Sequence, residues 1–452
     1  MATGNLTRCL RFATSLIALT KLPHRASHRK TKFMFRQPGV AVLAATLIAF
    51  SILHVGFSDP QIPLKVLGAT LLGGIAFILM ATANLLAARP RWLEGAFGGL
   101  DRMYKVHKYA GTTAGVLALL HFPLSPDAVP EGVDAIHEAL VPSAPLGMYA
   151  MIFLFLLLAL TLNRKIAYHR WRIPHKAMGL VFALVFLHVL MAPVFFYDRY
   201  GPSGMILFAA GIIGLLSYLY TLLLMPTVTS RKYVVEAVNK LERSAEIVLA
   251  PTAGAMPFRA GQFAFVKFHH AGLSEPHPFT ITSAPADAML RFTVKSLGDW
   301  TRRIRKDLTP GTKVDVRGPY GRFDTSRGGD RQIWIAGGIG VAPFLSAVRS
   351  LASGDTREIW FFYAVREVAD ALYLEELRDR LAQMPRMRLI LVESRAGDSC
   401  TMDLIRAEVD QPLAGYSLYQ CGPASLTSDL SKGFRAAGVP GRRIHVEAFE
   451  FR

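Results

Sequence analysis

Cysteine is scarce in this chain, with three among 452 residues. Cys9, Cys400 and Cys421 have neither the spacing of a disulfide framework nor that of a zinc site. Two of them fall in the second half, which is therefore expected in a reducing compartment. Acid is scarce as well: 33 Asp and Glu stand against 51 Lys and Arg, a net charge of +18. The first 37 residues contain no acid, yet carry Arg8, Arg11, Lys21, Arg25, Arg29, Lys30, Lys32 and Arg36. Conversely, Phe122 to Leu146 contains no Lys or Arg, and holds Asp127, Glu131, Asp134 and Glu138. An acid-poor chain can be a nucleic-acid binder. Here the cations flank apolar segments instead, at Arg89–Arg91, Arg102–Lys108, Asn163–Arg172 and Arg231–Lys232. Basic connections alternating with an acidic one are what the positive-inside rule produces on opposite faces of a bilayer, so no nucleic-acid partner is expected. A convincing leader cleavage site is also missing. Residues 9–20 are mildly apolar, but more basic residues follow, and the segment reads as a cytoplasmic tail or surface helix. Internal repeats and low-complexity tracts are absent.

What the chain has in abundance is apolar residue, 52% of the total, concentrated between about residues 38 and 226. About six stretches there are long enough to cross some 30 Å of hydrocarbon: 38–57, 62–88, 104–122, 145–163, 175–197 and 203–225. An even number of crossings from a basic, inside N-terminus returns the rest of the chain to the cytoplasm. This predicts a multi-pass protein of the cell (inner) membrane. From Lys232 the texture changes to short alternating runs at 233–238, 245–250, 262–268, 290–294 and 312–316, the pattern of a small antiparallel β-barrel. After Gly328, strands at 332–336, 358–363, 388–392, 418–420 and 444–449 alternate with helices near 341–352, 372–382 and 423–436. That is a doubly wound parallel sheet. The expected fold is thus multidomain: a basic N-terminal segment (1–37), an α-helical transmembrane bundle (38–226), an antiparallel β-barrel (227–328) and a Rossmann-like α/β domain (329–452).

Polar residues inside a span are costly and point to function. His107 and His121 lie 14 apart on the third span, and His175 and His188 lie 13 apart on the fifth. Both separations correspond to about 20 Å along a helix. Two haems, each between two imidazoles, would stack toward opposite faces of the membrane, and closed axial positions suit electron transfer. Fourteen residues leave side chains about 40° apart on an ideal helix, but thirteen leave them about 140° apart. The fifth span must therefore tilt, twist or bulge, and Gly179 is one candidate place. His54, His137 and His169 are expected to have no such role.

At these residues the chain resembles the ferric reductase and NADPH oxidase superfamily, from about residue 40 to the C-terminus. The resemblance implies that His107 with His175 holds a haem on the cytoplasmic side, and His121 with His188 an outer one. The second half is similar to the ferredoxin–NADP reductase module. His277-Pro278-Phe279-Thr280, followed by Ile281-Thr282-Ser283, resembles its flavin-binding strand, with Phe279 along the flavin and Thr280 near the reactive nitrogen. Lys295 through Gly298, Asp299, Trp300 and Thr301 resembles the segment that binds the FAD pyrophosphate, where a cation, a Gly turn and a hydroxyl at a helix start suit an anion. Gly318-Pro319-Tyr320-Gly321 matches the turn closing that domain. Gly337-Gly338-Ile339-Gly340-Val341-Ala342-Pro343, between strand and helix, admits a pyrophosphate against backbone N–H groups. Ser394-Arg395 resembles a pair that grips the 2′-phosphate of NADPH, with Tyr373 assisting. Cys421-Gly422-Pro423 would bring a thiol near the nicotinamide. In His445-Val446-Glu447-Ala448-Phe449, Phe449 would cover the flavin and Glu447 supply a carboxylate.

The family implies FAD, NADPH and two b-type haems as cofactors. NADPH gives a hydride and haem iron accepts one electron, so a flavin must stand between them. The acceptor is left open between ferric chelate, dioxygen and quinone. Animal superoxide-generating members carry a histidine four residues after the second ligand of the third span, where this chain has Ser125. An alternative reading is an electron-donor subunit for an extracytoplasmic partner protein.

Overall fold

The computed structural model describes residues 37–58, 62–125, 143–163, 165–166, 168–192, 201–352 and 354–447, and side chains throughout these except at residues 168 and 169. The chain forms two compact units, Met1–Pro226 and Thr227–Arg452.

The first unit is helical. Its elements are α1 (Pro38–Gly56), α2 (Leu64–Ala87), α3 (Arg91–Phe97), α4 (Leu100–His121), α5 (Ser143–Leu162), α6 (Tyr168–Lys176), α7 (Met178–Met191) and α8 (Pro202–Leu219). Among the described residues, five stretches are long and apolar enough to cross a membrane: Pro38–Gly56, Leu64–Ala87, Ser143–Leu162, Arg170–Met191 and Pro202–Val228. The sequence led us to expect about six. The remaining one, α4, has 22 residues, but Asp101, Arg102, Lys105, His107 and Lys108 crowd its first turns and lower its hydropathy. Phenylalanines fill the centre of this unit. Phe77 stacks on Phe182 (ring centroids 5.1 Å) and on Phe186 (5.7 Å). Side chains at Gly74, Gly211 and Gly214 would collide with Phe50, Phe186 and Phe182 respectively. With no water to exclude between apolar helices, close approach at small residues is what holds them together.

The second unit opens with six antiparallel strands, β1 (Ser230–Lys240), β2 (Ser244–Pro251), β3 (Phe263–Phe268), β4 (His277–Thr280), β5 (Leu290–Lys295) and β6 (Lys313–Tyr320). Their order is β4-β3-β6-β1-β2-β5. A bridge between Ile281 and Phe292 joins the two edges and closes the barrel. Helix α9 (Asp299–Asp307) buries Ile304 against its core. The chain then builds a parallel sheet from β7 (Arg331–Gly337), β8 (Glu358–Val365), β9 (Met387–Glu393), β10 (Ser417–Cys421) and β11 (Ile444–Glu447) in the order β11-β10-β7-β8-β9. Helices α10 (Ala342–Arg349), α11 (Leu374–Ala382), α12 (Met402–Glu408) and α13 (Ala424–Ala436) accompany it. The short α12 was not expected from periodicity; the Thr401 hydroxyl caps it by accepting from the Leu404 N–H at 3.3 Å.

Candidate functional site

Four histidines meet in two pairs inside the helical unit. The His107 and His175 rings have centroids 6.0 Å apart and an interplanar angle of 72°. For His121 and His188 the values are 6.4 Å and 71°. Neither pair is in van der Waals stacking. Two metal–imidazole bonds of about 2 Å, plus about 1.2 Å from each nitrogen to its ring centre, would space centroids about 6.4 Å apart. Among the described residues no group of three or more His, Cys, Asp or Glu gathers to hold a bare ion. Paired imidazoles alone suit a metal whose other ligands come with a macrocycle, so these residues fit a haem.

The hydrogen bonds fix which ring nitrogen is available. His107 Nδ1–H donates to the Ala83 carbonyl at 2.9 Å, and His121 Nδ1–H to the Ala69 carbonyl at 2.8 Å. His188 Nδ1–H donates to the Ser143 carbonyl at 2.7 Å. Each of these three Nε2 atoms thereby carries no proton and keeps a lone pair that could bind a metal. Ser125 Oγ lies 3.3 Å from His121 Nε2, but 3.1 Å from the carbonyl of the same residue, which takes its proton. Two glycines make room for the rings. A Cβ on Gly73 would come within 3.0 Å of His121 Nδ1, and one on Gly147 within 2.8 Å of His188 Cε1. Reading the sequence alone missed these glycines and carbonyls.

The distortion demanded by the 13-residue spacing is present, at a different residue from the one expected. Pro174 has no N–H for the ladder, and the helix breaks at Ala177, between α6 and α7. Gly179 instead admits the ring of Tyr218, which any side chain there would strike. His54 hydrogen-bonds Thr70 at 2.8 Å and stacks on Phe50, a packing role.

In the second unit, Trp300 gathers the barrel's aromatic residues. His277 lies 3.9 Å from it by ring centroids, Phe279 5.8 Å and Phe268 6.0 Å. Pro278 pairs with Phe265 across β3 and β4, and the buried Thr280 pairs with Phe263. The Thr301 hydroxyl accepts from the N–H groups of Leu297 and Gly298, both at 2.9 Å, and so shapes the turn before α9. Lys295 lines a small cleft with Arg243, Ile339 and Asp370.

At the end of β7, Gly338 takes φ +54°, a left-handed conformation, with open space where a Cβ would be. Gly340 packs against the Cys421 carbonyl, and Gly337 against Gly422 and Pro423, so the turns after β7 and β10 interlock. Pro343 begins α10. The Cys421 thiol is fully buried, and burial, reinforced by Glu447, pushes its pKa well above the ordinary value. Cys421 and Glu447 face each other in register across β10 and β11. Arg395, in the short turn after Ser394, pairs with Glu367 at 2.5 Å. Tyr373 does not join it. Its hydroxyl bonds Thr293 at 2.8 Å and Glu246 at 3.2 Å, and burial raises its pKa. Phe449 lies outside the described residues.

The buried Arg349 side chain ties the barrel to the sheet. Arg349 binds Glu376 through two hydrogen bonds of 2.8 and 2.7 Å, donates to the Thr282 carbonyl at 2.9 Å and approaches Glu246 at 3.8 Å. This lock had no sequence signal beyond ordinary charges in helices.

Residues 72–186 match the ferric reductase like transmembrane component, 238–324 an FAD-binding domain and 334–432 the oxidoreductase NAD-binding domain. Among curated relatives, the phenol hydroxylase P5 protein of Acinetobacter pittii is 28% identical over 42% of this chain and 58% of its own length. NADPH oxidase 1 of Mus musculus is 29% identical over 27% of this chain and 23% of its own. Ferredoxin–NADP reductase B of Sorangium cellulosum is 29% identical over 43% of this chain and 86% of its own. The chain spans about half the length of the first of these curated relatives.

Proposed function

This chain is a member of the ferric reductase and NADPH oxidase superfamily, and from that premise we propose that it carries electrons from cytoplasmic NADPH across the inner membrane to a small-molecule acceptor, a ferric chelate or dioxygen. When bound, FAD would supply the change from hydride to single electrons, and two b-type haems a one-electron relay through the apolar layer.

The chain's own residues divide the work. His107 with His175, and His121 with His188, hold the two irons, each imidazole presenting Nε2. The observation that carries this reading is the pair of centroid separations, 6.0 and 6.4 Å, with Nδ1 held by a carbonyl in three of the four rings. His277, Pro278, Phe279, Thr280 and Trp300 bind the flavin, while Lys295, Gly298 and Thr301 form its pyrophosphate turn. Gly337, Gly338, Gly340 and Pro343 receive the nucleotide pyrophosphate at the start of α10. Ser394 and Arg395 take the 2′-phosphate, which must displace Glu367 from Arg395. Thr280, Cys421, Glu447 and Phe449 surround the point of hydride transfer, where the Cys421 thiol stays protonated and acts by contact. The domain limits 38–226, 227–328 and 329–452, and the cytoplasmic side of the last two, belong to the same proposal. The alternation of basic and acidic connections supports that orientation.

The test is haem stoichiometry in the purified, FAD-supplemented chain. Two b-type haems per chain are expected, with one lost in each of His107→Ala and His188→Ala. Variants that keep both haems would overturn the ligand assignment. Comparing ferric-chelate reduction with superoxide yield under NADPH then names the acceptor. Activity that appears only after a partner protein or quinone is added would favour an electron-donor subunit.

A further inference from the structure

The four imidazoles are not supported alike. Three Nδ1 atoms meet backbone carbonyls at 2.7 to 2.9 Å. His175 Nδ1 meets a side chain, the hydroxyl of Thr161 on α5, at 3.2 Å. Other helix hydroxyls of this unit behave differently. Thr46, Ser51, Thr82, Thr112 and Thr221 each donate to the carbonyl one turn back, at 2.8 to 2.9 Å, and Thr70 does so at 3.1 Å while also meeting His54 Nε2. Such back-bonding is the ordinary fate of a threonine in an apolar helix. The ring of His175 is also fixed on one face, where Trp171, one turn earlier, stacks at 4.6 Å and 19°. With that face covered, Thr161 is the partner that sets the ring's rotation and its proton.

We infer that Thr161 is a positioning residue that sets the reduction potential of the His107/His175 site, an inference resting on the haem reading above. A histidine that ligates through Nε2 must carry its proton on Nδ1, so Thr161 must act as acceptor. A hydroxyl accepts more weakly than an amide carbonyl, and the contact is the longest of the four. His175 is thus the least basic of the four imidazoles. A less basic ligand stabilises the oxidised metal less, so Thr161 holds this site at a higher potential than a carbonyl in its place would.

The experiment is a spectroscopic redox titration of the full haem-loaded chain, resolved into two components. A His107→Ala sample first identifies which component belongs to that site. Thr161→Val removes the acceptor and is expected to move that component alone upward. Thr161→Asn offers an amide oxygen and is expected to move it downward, and Thr161→Ser to leave it in place. If Thr161→Val fails to retain haem, the Asn and Ser variants decide. Two components that stay fixed in the Asn variant, or movement of the His121/His188 component instead, would overturn the inference. A wild-type chain without two haem components would sink the haem reading itself.

Discussion

A helix carbonyl that already accepts a backbone N–H keeps a second lone pair, and Ala69 and Ala83 each offer one to a histidine of α4. A residue as plain as alanine can therefore orient a histidine ring through its main chain. Glycine acts by omission. Gly147→Ala would bring a Cβ to 2.8 Å from His188 Cε1 and force the ring aside. We expect it to lower haem content toward one per chain, measured by pyridine haemochromogen, while leaving helicity by circular dichroism unchanged. Arg395 makes a separate residue-scale prediction. Removing a charge-assisted contact of about 1.5–3 kcal/mol raises KM by roughly ten- to a hundredfold. Arg395→Ala should do this for NADPH and leave the KM for NADH nearly unchanged, whereas Glu367→Gln should lower the KM for NADPH. The histidines were legible because intramembrane imidazoles at a repeated spacing are rare. Gly73, Gly147 and Thr161 were not, because their roles depend on which turn of a neighbouring helix they face. No single-helix pattern carries that information.

At the scale of the element, the break at Pro174–Ala177 reconciles a spacing that an ideal helix would refuse. Pro174→Ala restores the missing N–H and removes the ring's clash, so the fifth span can straighten through Ala177. His175 would then swing away from His107. The expected result is loss of the His107/His175 haem with retention of the other, read as a single component in a redox titration. Strand and helix texture were readable along most of the chain, including the shift from period 2 in the barrel to alternating βα units. The misreadings have local causes. The short α12 has too few residues for periodicity to register. Gly179 looked like a hinge in sequence because a glycine is permissive both to bending and to close packing, and here it serves packing.

The whole molecule joins two units with different means of cohesion. The helical unit relies on small residues beneath phenylalanine rings. The reductase unit relies on buried strands and on the Arg349 lock, in which burial disfavours the guanidinium while Glu376 and Glu246 support it. For Glu376, burial works to raise the pKa, but Arg349 pulls it below the usual carboxylate range. Asp315 is likewise held low, Lys232 and His269 outweighing burial. Depressed carboxylates contribute stability that is present above about pH 4 and lost as pH falls through their folded values. Thermal melting followed by flavin fluorescence should accordingly be flat from pH 7 to 5 and decline in stronger acid. Glu376→Gln leaves Arg349 with only the longer approach to Glu246, so it should destabilise the protein at pH 7 and make the acid decline shallower.

The register between α2 and α4 has a further consequence. Ala69 and Ala83 are 14 residues apart, as are His107 and His121, and the two helices run antiparallel. Inserting one residue between positions 69 and 83 would turn one half of α2 by about 100° relative to the other. One imidazole would keep its acceptor and the other would lose it. Insertion scanning should therefore find this stretch of α2 closed to any change in length, while apolar substitutions at its lipid-facing positions pass without effect.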